Sequence, residues 1–312
     1  MKSLGKWIKA AVFAAGLSMG ASAQAVPSNV FVFGDSLMDT GNLFLATGGF
    51  PPAPYFGGRF SNGPLFGEII AGNLGLALTP SLVDGNNFSW AGAQTGTGLS
   101  NGFIPNVQTQ INQFLGPFGE LADPNALYII DGGGNDVLPA SASANLPAAI
   151  AAIVGNIKTE VETLAAAGAK NFVIINVARV GDTPRVQALG GAAAAGANFI
   201  SNQINQGLLS ALMDIHGNNK NLDLDLLDLF ALGTTVNANP GAFAFTNSTD
   251  PCFDGANVCA NPDQYLYWDT FHPTAAVGRI IAATSTSQIP EPTTLLLLSI
   301  ALAGMALRTR RV

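Results

Sequence analysis

Short apolar runs alternate with longer amphipathic stretches along most of this 312-residue chain. Five runs bounded by glycine, asparagine or aspartate predict buried strands at 29–33, 87–90, 126–131, 171–177 and 222–229. Helices are predicted at 63–74, 106–114, 146–167 and 197–215, and a last helix is predicted to begin at Pro273. Continuous apolar runs that alternate with helices indicate a parallel sheet covered on both faces. The pattern therefore predicts a three-layer α/β/α sandwich around a mostly parallel, five-stranded sheet.

Polar, glycine-rich segments follow the first three predicted strands. They contain Gly34-Asp35-Ser36, Ala91-Gly92-Ala93 and the segment 131–136, which reads DGGGND. Ligands of open α/β sheets bind outside the carboxyl ends of the strands. We therefore expect these three segments to lie together on one edge of the sheet.

The amino-terminal end has the pattern of a secretory signal peptide over residues 1–25. Three lysines precede an apolar stretch at 10–19, and the A-x-A runs ASA and AQA follow. A membrane anchor is the alternative interpretation, but the apolar stretch is short of the roughly 20 residues that a spanning helix needs. We expect signal peptidase to remove this segment and leave a domain that spans residues 26–289.

The carboxyl-terminal end, residues 290–312, has three parts in a fixed order. Pro290-Glu291-Pro292 precedes an apolar run at 293–307, and three arginines follow. This tail resembles the PEP-CTERM sorting signal of Gram-negative bacteria, which an exosortase reads while the apolar helix holds the protein in the inner membrane. The alternative interpretation is an ordinary membrane anchor, but the run is short for a permanent span. The resemblance implies export to the periplasm, cell surface or extracellular matrix, with transient attachment to the inner membrane.

The net charge of the chain limits the kinds of molecule that it is expected to bind. Only 11% of the residues are charged, against about 25% in an average globular domain. Without the two ends, the chain keeps 7 basic and 19 acidic residues, a net charge near −12. Such an acidic domain repels nucleic acid, so a nucleic-acid partner is not expected.

Two cysteines, Cys252 and Cys259, lie close together in the sequence. In an exported protein such a pair predicts a disulfide, which would contribute roughly 2–3 kcal/mol in the chain-entropy model. A metal or redox pair is the alternative, but there is no C-x-x-C spacing and no histidine cluster nearby. We predict no metal and no cofactor.

Three residues are candidates for nucleophilic chemistry. Asp269 precedes His272 by three residues, and a carboxylate beside an imidazole fixes its tautomer. Ser36 follows a strong strand signal at a turn, where its hydroxyl would lie near backbone N–H donors. Taken alone, the first two could be a structural pair at a helix start, and the serine could be a helix cap. The second histidine, His216, is interpreted as a residue at a helix end.

The order of four blocks resolves these alternatives. They are VFVFGDSL followed by Asp39, Gly41 and Asn42; NFSWAGA at 87–93; GGND at 133–136; and D-x-x-H-P-T at 269–274. Together they closely resemble the blocks of the GDSL, or SGNH, hydrolases, and RFSNGP at 59–64 is also similar to a segment common in that family. The resemblance runs from about Asn29 to beyond Thr274 and implies a flavodoxin-like fold. One difference is Ala91, where the family often has a glycine.

The resemblance also implies a mechanism of ester hydrolysis. Ser36 is expected to be the nucleophile, His272 its base and Asp269 the residue that orients the base. The oxyanion would be held by the N–H groups of Ser36 and Gly92 and by the side-chain amide of Asn135. Each such donor can contribute about 10²–10³-fold in rate.

The substrate class and two other functions stay open at this stage. Lipid, phospholipid and acetylated polysaccharide esters are all handled within the family, and acyl-chain esters are preferred here. An aromatic, proline-rich stretch could line an acyl pocket or could be a packed loop; it contains Phe44, Phe50, Pro51, Pro52, Tyr55, Phe56 and Phe60. The alternatives are an exopolysaccharide-associated acetyl esterase or acyltransferase, and a non-catalytic matrix-binding protein on the same scaffold.

Overall fold

The helices and strands alternate along the chain as an α/β fold requires. A computed structural model describes residues 26–285, except 117, 118 and 120. The described strands are β1 (Val30–Phe33), β2 (Leu99–Ser100), β3 (Ile104–Pro105), β4 (Leu127–Asp131), β5 (Asn171–Ile175), β6 (Asp223–Leu227), β7 (Asn247–Pro251) and β8 (Tyr265–Tyr267). The described α-helices are α1 (Asn42–Thr47), α2 (Phe66–Asn73), α3 (Val107–Leu115), α4 (Val137–Ser141), α5 (Leu146–Ala167), α6 (Pro184–Gln187), α7 (Gly191–Asn218), α8 (Leu229–Ala238) and α9 (Ala275–Ser285).

The central sheet is parallel and has the order β1–β4–β5–β6. Its strands are apolar along most of their length because both faces of the sheet are covered. All four strands point the same way, so their carboxyl ends lie on one edge. The parallel α/β fold expected from the alternating pattern is confirmed.

The segment 87–90 was predicted as one of five strands, but it is not a regular strand of the central sheet. This segment runs parallel to β1, and the N–H of Phe88 donates to Val32 O, with two more backbone hydrogen bonds that involve Asn86 and Gly34 just beyond the two segments. Only Val32 and Asn87 form a ladder pair. The side chain of Asn87 donates to Met38 O and Thr40 Oγ1, so the segment is bonded to the turn after β1 as well as to the strand. The sheet therefore has four strands with an irregular fifth segment at its edge. Counting that segment, the five segments lie in the order 2-1-3-4-5, which is the flavodoxin-like order.

Each face of the sheet has its own apolar core, as the alternation of side chains along a strand requires. On one face, Phe33, Ile130 and Ile174 pack under α3, α4, α5 and α7. On the other face, Val32 and Ile129 pack under α2, α9 and the start of α8. The three predicted layers are therefore present.

Several local features lie outside the central sheet. Strands β2 and β3 form a small antiparallel pair, and β7 pairs with β8. The predicted disulfide is present between Cys252 and Cys259, in the loop after β7. The last helix begins at Ala275 rather than at Pro273, because Pro273 bridges Tyr267 and the N–H of Thr274 donates to Leu266 O.

The two ends of the chain are not part of this description. The predicted signal peptide, 1–25, and the predicted sorting tail, 290–312, lie outside the described residues. Among the residues that are described, no helix is both long enough and apolar enough to cross a membrane.

A carboxyl group is buried in the long helix α5. Glu160 is fully buried, and its Oε1 accepts a hydrogen bond of 2.8 Å from the N–H of Gly96. Its Oε2 has no partner among the described residues. Burial, together with the charge of Asp136, raises the pKa of Glu160 to about 8. The folded protein therefore keeps Glu160 protonated at neutral pH.

Replacing Glu160 should remove a pH-dependent loss of stability. Between about pH 5 and pH 8 the folded state holds a proton that the unfolded chain releases, so stability falls as the pH rises, by up to about 1.4 kcal/mol per pH unit. The variant Glu160→Gln lacks this contribution. Its free energy of unfolding, relative to that of the parent, should therefore increase as the pH rises. Urea denaturation at several pH values measures the difference. Glu162→Gln, on the exposed side of the same helix, is the control and should follow the parent. Parallel profiles for Glu160→Gln and the parent would contradict the assignment.

Candidate active site

Ser36 lies in the turn that follows β1. The turn is tight, since the N–H of Asp39 donates to Asp35 O at 3.0 Å. Gly34 is required where β1 approaches β4, because a Cβ there would lie 2.8 Å from Asp131 O. Ser36 is 5% exposed. The turn therefore presents the serine at the carboxyl edge of the sheet with little freedom.

The loop between β8 and α9 places an imidazole against this hydroxyl. Nε2 of His272 lies 2.9 Å from Ser36 Oγ, although the two residues are 236 positions apart in the chain. Nδ1 of His272 lies 2.8 Å from Oδ2 of Asp269 and 3.0 Å from its Oδ1. The loop is closed by a hydrogen bond from the N–H of Trp268 to His272 O. Serine, histidine and aspartate thus form one continuous chain of hydrogen bonds.

The aspartate in this chain is ionised. Burial raises the pKa of Asp269, but hydrogen bonds from His272 and from the N–H of Phe271 outweigh it and lower the pKa to about 2. A carboxylate beside Nδ1 keeps the proton of a neutral imidazole on that nitrogen. Nε2 then has a free lone pair directed at the serine hydroxyl. The arrangement can accept the proton of Ser36.

The other two predicted site residues line the same cleft. A cleft of about 650 Å³ is bounded by Ser36, His272, Gly92 and Asn135 among other residues. The N–H groups of Ser36 and Gly92 donate to no acceptor within the described part of the chain. The Nδ2 of Asn135 lies 3.0 Å from Ala93 O and 3.2 Å from Asp35 Oδ2. All five residues predicted from the sequence are therefore brought to one place.

Two carboxyl groups lie behind the serine. Burial raises the pKa of both Asp35 and Asp131, and the charge of Asp35 raises that of Asp131 further. Asp35 accepts from the N–H of Leu37 and from Asn135, whereas Oδ2 of Asp131 has no partner among the described residues. Burial thus disfavours the charged form of Asp131, and Asp35 anchors the amide of Asn135.

Sequence reasoning missed two of the contacts that join these loops. Oδ2 of Asp39 accepts a hydrogen bond of 2.9 Å from the N–H of Ala91, which fixes the loop that contains Gly92. Asp136 accepts from the N–H and hydroxyl of Thr95 and so joins the second loop to the third. In the sequence, Asp39 was notable only as part of the first block, three positions after Ser36. No other feature of the sequence pointed to its contact with Ala91.

The aromatic stretch after β1 has divided roles. Phe50 and Phe60 line the cleft. Tyr55 is not among the residues that line it and instead donates to Oδ2 of Asp269 at 2.7 Å. Part of the stretch therefore borders the cleft, and part of it packs behind the site.

Two known family models match this chain. The model of the GDSL-like lipase/acylhydrolase family matches residues 30–284, and that of the PEP-CTERM protein-sorting motif matches residues 288–311. The sorting motif indicates an exported protein of a Gram-negative bacterium.

Similar proteins occur in plants and bacteria. A GDSL esterase/lipase of Arabidopsis thaliana is 25% identical over 90% of this chain and 93% of its own length. An uncharacterized protein from the trpE-trpG intergenic region of Pseudomonas putida is 30% identical over 90% of this chain and 52% of its own length. The crystal structure of an acetylxylan esterase from Geobacillus stearothermophilus is 14% identical, covers 84% of this chain and 93% of its own, and superposes with a TM-score of 0.44. Because the family model spans most of the chain, the protein belongs to the GDSL-like lipase/acylhydrolase family of ester hydrolases.

Proposed function

We propose that the protein hydrolyses carboxylic esters with Ser36 as the nucleophile. The hydrogen bond of 2.9 Å between Ser36 Oγ and His272 Nε2 carries this proposal. Oγ attacks the ester carbonyl while its proton moves to Nε2, and the resulting imidazolium is stabilised by Asp269. His272 then protonates the departing alcohol. Water attacks the acyl-serine with the same base, which releases the acid and restores the serine.

The negative charge of the tetrahedral intermediate needs donors on the cleft side of Ser36. We assign this role to the N–H groups of Ser36 and Gly92 and to the side-chain amide of Asn135. The two N–H groups have no other acceptor in the described chain, which leaves them available to an oxyanion. The Nδ2 of Asn135 has two hydrogens, which face Ala93 O at 3.0 Å and Asp35 Oδ2 at 3.2 Å. The oxyanion would replace Asp35 as the acceptor of one of them, while Ala93 O holds the amide in place.

The space around Ser36 supports acyl-chain esters over acetates. Besides the cleft, Ser36 and His272 border a second, apolar cavity of about 140 Å³, whose walls include Leu232, Val236 and Ile280. Cavities of roughly this size and polarity hold a molecule as large as benzene. We therefore assign this cavity to an acyl chain of roughly six carbons, and the wider cleft to the alcohol.

The alternatives have less support. A non-catalytic binding protein would need neither the ionised Asp269 beside His272 nor the free N–H groups. An acyltransferase would have to keep water from the acyl-serine, whereas the cleft beside Ser36 is wide. An acetyl esterase would leave the apolar cavity unused.

Export and processing are proposed from the two ends. Residues 1–25 would be removed by signal peptidase, 26–289 would form the hydrolase domain, and 290–312 would hold the protein briefly at the inner membrane until an exosortase-type enzyme acts. The PEP-CTERM match at 288–311 supports the last step. The active enzyme would then work in the periplasm, at the cell surface or in the extracellular matrix.

The primary test compares the parent with Ser36→Ala on p-nitrophenyl esters of increasing chain length. The parent should be active, and the variant should lose at least about 10³-fold in kcat because the nucleophile is gone. Stopped-assay measurement of p-nitrophenol gives both values. Equal rates from the two proteins would exclude Ser36 as nucleophile.

A pair of glycine variants tests the role of the Gly92 loop. Gly92 and Gly98 have φ values of +87° and +101°, so alanine at either position is strained by about 1–2 kcal/mol. A Cβ at Gly92 would also lie 3.2 Å from Cδ1 of Ile104, so that side chain or the loop must shift by a few tenths of an ångström, whereas a Cβ at Gly98 meets nothing within 4 Å. We expect Gly92→Ala to lose about 10²-fold in kcat and Gly98→Ala to keep the parent value. Similar losses in both variants would show that strain alone is responsible.

Filling the apolar cavity should change the preferred chain length. Gly233 lies on α8 at the cavity wall, where a Cβ would have ordinary contacts with Arg179. Gly233→Leu should lower kcat/KM for hexanoate about tenfold or more, as expected from the loss of a few buried methylene sites, and should leave the acetate rate intact. Gly155→Leu, on the exposed side of α5, is the control. An unchanged ratio of hexanoate to acetate rates in Gly233→Leu would place the acyl chain elsewhere.

A further inference from the structure

The carboxylate of Asp269 has one contact that comes from far away in the chain. The hydroxyl of Tyr55, 214 positions earlier, donates to Oδ2 at 2.7 Å. The same oxygen accepts from Nδ1 of His272 at 2.8 Å. The other oxygen, Oδ1, accepts from the N–H groups of Phe271 and His272 at 2.7 Å each. Tyr55 is thus the one donor outside the histidine loop that these contacts provide to Asp269.

The hydroxyl is held in position by the packing of its ring. The Tyr55 ring meets those of Phe60, Phe253 and Trp268 edge-on, at centroid distances of 5.6, 5.7 and 6.1 Å. Phe60 also contacts the ring of His272, at 4.8 Å. Edge-on aromatic contacts of this kind prefer one geometry. The tyrosine is therefore built into the wall behind the aspartate and does not line the cleft.

We propose that Tyr55 is a positioning residue for the catalytic aspartate. This inference rests on the proposed function. By donating to Oδ2, the hydroxyl fixes the plane of the carboxylate and takes up part of its charge. The imidazole is then oriented for Ser36 without being held too tightly in its protonated form.

The tyrosine remains a donor throughout the useful pH range. Burial and the charge of Asp269 raise the pKa of the Tyr55 phenol well above its ordinary value. Two other groups matter for the charge on His272. Asp35 acts on it from the turn after β1, and Arg185 lines the same cleft. Neither contacts Tyr55, so both stay unchanged when its hydroxyl is removed.

Removal of the hydroxyl has a definite direction of effect. Without the Tyr55 donor, more negative charge remains on the oxygen that faces His272, so the imidazolium is favoured. The acid limb of the rate profile should therefore move to higher pH. Because Tyr55 does not line the cleft, kcat should fall while KM stays near the parent value.

The test is Tyr55→Phe, with Tyr128→Phe as its matched control. Tyr128 is a buried tyrosine whose hydroxyl donates to Asp123 O at 3.0 Å, away from the active site. We expect Tyr55→Phe to lose about tenfold in kcat, the scale of one hydrogen bond to a charged group, and Tyr128→Phe to match the parent. Equal kcat values and pH profiles for the two variants would overturn the proposal.

A double substitution separates positioning from general stability. In an Asp269→Ala protein, the carboxylate that Tyr55 contacts is absent. Tyr55→Phe should then have little further effect on kcat. A full tenfold loss in that protein would mean that Tyr55 acts by another route.

NMR at a fixed pH tests the same point without any esterase activity. The chain contains only two histidines, His216 and His272, so their ring signals can be assigned by substitution. In Tyr55→Phe the Nδ1 proton signal of His272 should shift, because that proton is shared with the oxygen that loses its second donor, and the signals of His216, in the last turn of α7, should not move. An unmoved His272 signal would overturn the inference. An inactive parent with a moved His272 signal would overturn the proposed function and leave the positioning role standing.

Discussion

The rest of the fold has to position the two groups of one hydrogen bond, the hydroxyl of Ser36 and the imidazole of His272. The two residues come from opposite ends of the domain and meet at 2.9 Å. Parallel strands bring the turn after β1 to the sheet edge, and the closed loop after β8 brings the imidazole to the same edge. A small shift of either element would break the bond, because a hydrogen bond tolerates only a few tenths of an ångström. The polar contacts behind the site, from Asp39 to Ala91 and from Asp136 to Thr95, resist such shifts.

The local parts of this architecture were predictable, and the long-range contacts were not. Buried parallel strands are apolar throughout, so runs such as the one at 171–177 were visible in the sequence. The rule that ligands bind at strand ends, with the order of the four blocks, placed Ser36 and Asn135 together. The segment 87–90 was predicted as a regular strand because periodicity does not reveal that Asn87 bonds to the neighbouring turn. Tyr55 was considered only for an acyl pocket, since no local pattern encodes a contact with a residue 214 positions away.

Two buried aspartates near Ser36 have pKa values that are shifted in opposite directions. Asp269 is ionised because His272 and backbone N–H groups compensate its burial. Burial and the charge of Asp35 instead raise the pKa of Asp131, whose Oδ2 has no partner among the described residues. The pKa values of these two aspartates thus move in opposite directions because their hydrogen-bond partners and neighbouring charges differ.

The wide separation of Ser36 and His272 along the chain also affects biosynthesis. The hydroxyl belongs to the first strand-turn of the domain, and the imidazole belongs to the loop before its last described helix, so a ribosome produces them at the beginning and near the end of translation. A fragment that ends before residue 272 contains the hydroxyl without the imidazole. The growing polypeptide therefore cannot form the hydrogen bond between them until nearly the whole domain has been synthesised.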